Sequence, residues 1–227
     1  MNDLRRLIAD RPCLLLDFDG PVCAVFSGIS SRHVAEQLGA AMGVALPDHL
    51  GATSDPFELL QYAAQISEEI AETTERELTR LEVEAVAVAT PTPYAHEVIR
   101  EAAGRDGGSV AIVSNNSVAA IDAYLRAHGL RDQVSGIYAR TSAATPLKPN
   151  PHLLEAALSG LRTDAKTASF TGDSLTDLLA ADSATLPAVA YANKPDKVER
   201  FAPFANAVTI TSMSALLDAI RGESISQ

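Results

Sequence analysis

Two aspartates, Asp17 and Asp19, stand two residues apart in the segment DFDGPV, directly after the apolar run CLLL at 13–16. Carboxylates at that spacing on a loop can serve as a nucleophile and a neighbouring acid or base, provided that a divalent cation offsets their repulsion. Mg²⁺ suits such an oxygen-rich setting and keeps several of its waters. Gly20, beside the pair, supplies backbone freedom for the turn. Three further segments offer complementary chemistry. In IVSNNS, 112–117, Ser114 and Asn115 lie where an apolar run gives way to a helical pattern. A helix start presents backbone donors to an anion, and the Ser114 hydroxyl can add to them; Asn116 or Ser117 equally suits a helix cap. Lys148, in PLKPNP, is the first of only four lysines in a chain with fourteen arginines, and its compact ammonium fits a phosphoryl oxygen or a carboxylate. In TGDSLTD, 171–177, Asp173 and Asp177 lie four apart. Asp173 is placed to bind a metal, and Asp177 to fix the loop or reach Lys148. Either acid, or Ser174, also suits the start of a helix.

Elements that end where these residues begin are legible too. Apolar runs at 13–16, 109–113, 167–170 and 188–192 each stop at polar residues and read as buried strands. Between them, 117–128 carries Val118, Ile121, Tyr124 and Leu125 on one helical face, with Gly129 as its stop, and 151–161 opens on a proline. Segments 176–182 and 212–221 have the same helical pattern. Strand and helix alternate from about residue 92, which predicts an α/β fold with a parallel sheet and helices on both faces, its ligands beyond the carboxyl ends of the strands. Residues 24–90 break the alternation. They read as helices at 32–42, 55–66 and 67–88, separated by turn material at 43–47 and 51–54, with Pro91, Thr92 and Pro93 as a stiff linker back to the sheet. The expected organisation is a core of 1–22 and 92–227 interrupted by a helical domain at 23–91.

Composition narrows the field. A length of 227 residues suits one globular body with a smaller partner, and 47% hydrophobic with 21% charged residues excludes a disordered chain. Twenty-nine acids against eighteen bases give a formal charge of −11, which argues against a general nucleic-acid binder. Residues 22–92 hold eleven of those acids and three arginines, net −8, much of it at 68–84, where a solvated outer face is expected. Cys13 and Cys23 show neither a disulfide framework nor metal spacing, and the five histidines form no HExxH pair. With no targeting signal and no run of about 20 apolar residues, a reduced cytoplasmic protein that does not span a membrane is expected.

Taken in order, Asp17–Gly20, Ser114, Lys148 and Gly172–Asp177 resemble the motifs of the haloacid dehalogenase superfamily, subfamily I: DxDG, a Ser or Thr, a Lys and a GDxxxD-type acidic motif. The resemblance covers nearly the whole chain and implies a Rossmann-like three-layer core with an inserted all-helical C1-type cap. It further implies a Mg²⁺-dependent phosphatase acting on a small phosphorylated metabolite through an aspartyl-phosphate. Asp17 would be the nucleophile and Asp19 the acid and base. Asp17, Asp173 and the backbone carbonyl of Asp19 would hold Mg²⁺, with Asp177 and Gly20 in support. Ser114, Lys148 and the amides of Phe18, Asp19 and Asn115 would grip the phosphoryl oxygens. Pro21 stands where the family commonly has Thr, which implies altered loop stiffness with the chemistry kept.

The same residues separate sibling reactions. Asp19 disfavours dehalogenation, which needs no second acid, and the absence of lysine from 22–92 disfavours phosphonate cleavage through a cap Schiff base. A sugar-phosphate mutase and a non-catalytic phosphate- or metal-binding regulator remain the alternatives. Near the start of the insert, Arg32 and His33 are candidates for substrate recognition, with a solvated helix start as the plainer reading. Cys23 and Phe26 are candidates for the site's entrance, with inert packing as the plainer reading of Cys23, and Asn193 and Lys194 are candidates for its border.

Overall fold

The structure is a computed structural model and describes residues 2–222. After α1 (Asn2–Ala9), the chain enters β1 (Cys13–Leu16) and β2 (Cys23–Ala24), then α2 (Ser31–Ala41), α3 (Asp48–Gly51), α4 (Pro56–Ile66) and α5 (Glu68–Val86). It returns through β3 (Thr90–Pro91) and α6 (Ala95–Gly104) to β4 (Ser109–Ser117), α7 (Val118–Ala127), β5 (Gly136–Arg140) and α8 (His152–Leu161). β6 (Ala168–Gly172), α9 (Leu175–Ser183), β7 (Ala188–Tyr191), α10 (Pro195–Phe201), β8 (Ala207–Ile210) and α11 (Met213–Arg221) complete it.

Six strands form one parallel sheet in the order β5-β4-β1-β6-β7-β8. The central strand β1 is buried throughout and sends alternate side chains to opposite faces. Leu14 and Leu16 pack with Val110 and Ile112 against α1, α6, α7 and α11. Cys13 and Leu15 pack with Ala111, Val113 and Phe170 against α8 and α9. The result is the expected three-layer α/β core. Leu15 is completely buried, a burial that contributes on the order of 2 kcal/mol relative to exposure.

The four expected strands are present. β5 and β8 were not legible, and they are the two edges of the sheet, where one side lacks a neighbour and the side chains are only partly buried. Helices α2, α4 and α5 lie within a residue or two of their expected positions. Their starts follow from capping: Ser30, Asp55 and Ser67 accept from the amides of His33, Phe57 and Ile70, and Pro56 opens α4. These helices enclose a cluster of their own around Val34, Leu38, Leu59, Leu60, Leu78 and Leu81. The insert leaves and rejoins the core through the antiparallel pair β2 and β3, in which Cys23 faces Pro91; the stretch expected as a plain linker is thus partly a strand.

The acidic run at 68–84 differs from expectation. Rather than forming a wholly solvated face, it turns Glu75 and Glu82 inward, with Glu82 fully buried. Both meet Arg140, the last residue of β5, which a local pattern of charges cannot foretell.

Candidate active site

The loops after β1, β4 and β6, three adjacent strands, meet at one point beyond the carboxyl edge of the sheet. Asp17 follows β1 directly, and its amide still donates to the Thr171 carbonyl of the neighbouring strand, 2.8 Å. The chain then turns sharply: the Phe18 carbonyl accepts from the amides of Val22 and Cys23, at 3.1 and 3.2 Å. The Phe18 ring packs edge-on against Tyr124 with centroids 5.3 Å apart. Gly20 has φ +106°, and a Cβ there would collide with the Asp173 carboxylate. Only glycine allows both the turn and that close approach. Asp19 turns its carboxylate back on the loop, where Oδ1 accepts from the Val25 amide at 2.9 Å.

Lys148 ties the loops together. Its buried ammonium lies 2.7 Å from Asp17 Oδ1 and 2.6 Å from Asp177 Oδ1, and donates to the Val113 carbonyl at 3.1 Å. The ring of Phe170 lies beneath it, 5.3 Å away. Asp177 does both things expected of it, because its other oxygen accepts from the amides of Asp173 and Ser174 and from the Ser174 hydroxyl. Ser174 in turn caps α9.

At the end of β4 the strand continues to Ser117, so Ser114 sits in the strand rather than at a helix start. The cap of α7 is Ser117, whose hydroxyl accepts from the Ala120 amide. Pairing with β5 shifts register between Ser114 and Ser117, a bulge that re-aims the intervening residues. Ser114 is buried and bonds Asn116. The Asn115 side chain grips the backbone of Lys148 from both sides, accepting from its amide at 2.8 Å and donating to its carbonyl at 3.3 Å. Arg140 holds the Asn115 carbonyl at 3.0 Å, while Glu82 of the insert accepts from Arg140, Asn116 and the Ser117 amide.

A cavity of about 380 Å³ opens over these groups. Its core wall includes Asp17, Asp19, Ser114, Asn115, Lys148, Asp173 and Asp177, and its opposite wall consists of Asp55, Phe57, Glu58 and Gln61 from the start of α4. Arg32 and His33 are not among its lining residues. They are exposed on α2, engaged with Glu36 and Gln37. Asn193 reaches Asp173 Oδ2 at 3.0 Å, whereas Lys194 is exposed on a separate shallow depression. The cation that does reach Asp173, at 2.5 Å, is Lys197. Its signal was the scarcity that singled out Lys148; it is another of the four lysines. Cys23 is fully buried, and burial pushes its thiol pKa up, which makes it packing rather than a reactive group. Phe26 bridges the core and the insert clusters.

A family model for the haloacid dehalogenase-like hydrolases matches residues 14–185. The chain belongs to that family. Solved structures agree with the fold. A subfamily IA, variant 1 hydrolase of the superfamily from Geobacter sulfurreducens is 22% identical with a TM-score of 0.61, covering 93% of this chain and 97% of that one. CbbY from Rhodobacter sphaeroides, in complex with phosphate, is 23% identical with a TM-score of 0.68, covering 92% and 99%. A mutant of CbbY in complex with xylulose-(1,5)bisphosphate is 22% identical with a TM-score of 0.67, covering 90% and 95%. No curated protein matches the chain by sequence.

Hydrolases of the haloacid dehalogenase-like family generally use a metal, and the residues here fit one. Oxygens of Asp17, Asp173 and Asp177 lie within 4.8 Å of one another. Burial, reinforced by the charge of Asp177, pushes the Asp17 carboxyl up to about 7, and burial raises Asp19 to about 6 and lifts Asp173 despite its contact with Lys197. Burial also disfavours the Lys148 ammonium, but Asp17 and Asp177 outweigh it and hold its pKa above the ordinary value. Carboxylates thus outnumber ammoniums in a buried space, the imbalance that a divalent cation relieves. Of the three, Asp177 already spends its oxygens on Lys148 and the loop, and the Asp19 carboxylate stands outside the cluster.

Proposed function

We propose that this hydrolase is a Mg²⁺-dependent phosphatase that cleaves a small phosphomonoester through an aspartyl-phosphate. The observation that carries the reading is the Lys148 ammonium. It joins Asp17, Asp177 and the Val113 carbonyl, and so draws loops from three strands around one carboxylate. A carboxylate oxygen of Asp17 attacks phosphorus in line with the ester oxygen. The ester bond breaks, and the departing alkoxide takes a proton from Asp19. In the second half, Asp19 removes a proton from water, whose oxygen attacks phosphorus. The bond to Asp17 breaks and inorganic phosphate leaves. A pKa near 6 suits a group that must give and then take a proton near neutrality.

Asp17, Asp173 and the backbone carbonyl of Asp19 would hold Mg²⁺, which supplies charge neutralisation for the phosphoryl oxygens. Ser114, Lys148 and the amides of Phe18, Asp19 and Asn115 bind those oxygens as charge redistributes. Asp177 and Gly20 keep Lys148 and Asp173 in place. The insert, residues 23–91, acts as a cap domain over the site; its own apolar cluster and the α4 wall support this. Among the described residues no helix is long and apolar enough to cross a membrane, and two buried, unpaired thiols support work in the reducing cytoplasm.

The test is Mg²⁺-dependent phosphate release from p-nitrophenyl phosphate, compared with Asp17→Asn. Release that survives the substitution sinks the covalent route. Isomerised sugar phosphate without free phosphate would instead identify a mutase, and no turnover by metal-replete protein a regulator.

A further inference from the structure

The phosphoryl end of the cavity explains what is cleaved, and the wall facing it bears on what departs. That wall is the first turns of α4, where Asp55, Glu58 and Gln61 recur every third residue beside Phe57. One oxygen of each acid is engaged locally. Asp55 Oδ1 accepts from the Phe57 amide at 2.9 Å, and Glu58 Oε2 accepts from the Thr53 hydroxyl at 2.6 Å. Among the described residues neither carboxylate forms an ion pair.

Among the described residues no arginine lines the cavity, and Lys148 is its one lysine. That ammonium is committed to Asp17 and Asp177 at the far end. Arg140 approaches the Phe57 ring to 5.9 Å but is fully buried and bound to Glu75 and Glu82. A second phosphate or a carboxylate on the substrate would therefore meet two carboxylates with no cation to receive it. An ammonium would meet two acceptors and an aromatic ring, the groups that recognise alkylammonium ions.

We propose that the preferred substrate is a phosphomonoester whose alcohol carries an ammonium group, held by Asp55, Glu58 and Phe57. The proposal rests on the phosphatase reading above.

Three hexose phosphates of similar size test it: glucosamine 6-phosphate, glucose 6-phosphate and 6-phosphogluconate, with p-nitrophenyl phosphate as the control for hydrolysis itself. The expected order of kcat/KM is ammonium, then neutral, then carboxylate, with steps on the order of tenfold. Glu58→Gln, and Asp55→Asn, which keeps the helix cap, should each shrink the ratio of glucosamine to glucose phosphate. Because that ratio is taken within one variant, a loss of folded protein cancels. Cleavage of the aryl phosphate with 6-phosphogluconate preferred to glucosamine 6-phosphate, or an unchanged ratio in both variants, overturns the charge assignment and leaves the phosphatase standing. No release from any compound, the aryl phosphate included, overturns both.

Discussion

Arg140 of the core donates to Glu82 of the inserted helix α5 at 2.7 Å, and both side chains are fully buried. The same guanidinium holds the carbonyl of Asn115, whose side chain holds the backbone of Lys148. A chain of contacts thus runs from the insert to the ammonium beside Asp17. Replacing one member strands buried charge. Arg140→Met should lower the unfolding free energy by about 3–5 kcal/mol in urea denaturation, and Arg140→Met with Glu82→Leu should recover a substantial part.

Removal of the proposed nucleophile has a different signature. Asp17→Asn should fold normally yet lose phosphate release by at least about a thousandfold, and acid-quenched protein should carry no phosphate on the chain. Asp19→Asn leaves Asp17 in place but removes the proposed proton carrier, so a loss of about 10²- to 10⁴-fold is expected in steady-state phosphate release.

Acidity should also register in stability. The carboxyls of Asp17 and Asp19 are raised to about 7 and about 6 from an ordinary value of 3.8. The folded protein therefore binds more protons than the unfolded chain between about pH 4 and 7, and stability falls as pH rises through that window. In EDTA, Tm should drop between pH 5 and pH 7.5 by differential scanning fluorimetry. Added Mg²⁺ should raise Tm more at pH 7.5 than at pH 5, where protons compete for the same oxygens.

Gly20 offers a test through shape alone. Gly20→Ala places a methyl group against the Asp173 carboxylate at a φ that side chains rarely adopt. It should cost roughly 1–3 kcal/mol of stability and raise the Mg²⁺ concentration needed for half-maximal phosphate release, measured by metal titration.

Lys148→Met should cut kcat about 10²- to 10³-fold by withdrawing the cation from the transferring oxygens. Arginine should not restore it, because the Lys148 side chain is 2% exposed and walled in by Phe170 and Val113, which leaves no room for a planar fork.

Three of the segments that meet at this site were legible because each ends a strand that is buried on both faces, and such strands announce themselves as short apolar runs before polar residues. Asp17, Ser114 and Asp173 stand out in that way, and Lys148 by its rarity. Partners joined across long stretches of chain leave no local trace. Glu82 and Arg140 are 58 residues apart, and Lys197 reaches Asp173 from 24 residues downstream. Arg32 and His33, for which a solvated helix start was the plainer reading, are exposed on α2, and the wall opposite the core residues is formed by α4. Which helix of an insert faces the core depends on how the helices pack together, and amphipathic spacing reports only that each has an inner side.

The antiparallel contact between Cys23 and Pro91 carries a final consequence. Because the chain leaves the core and comes back through two paired strands, changes of length confined to the insert's turns, at 43–47 or 51–54, can be absorbed there while Glu82 keeps its hold on Arg140. Changes at Asp55, Glu58 or Gln61 at the start of α4 can thus reshape the far wall of the cavity, while Glu82 of α5 goes on bracing the core beneath it.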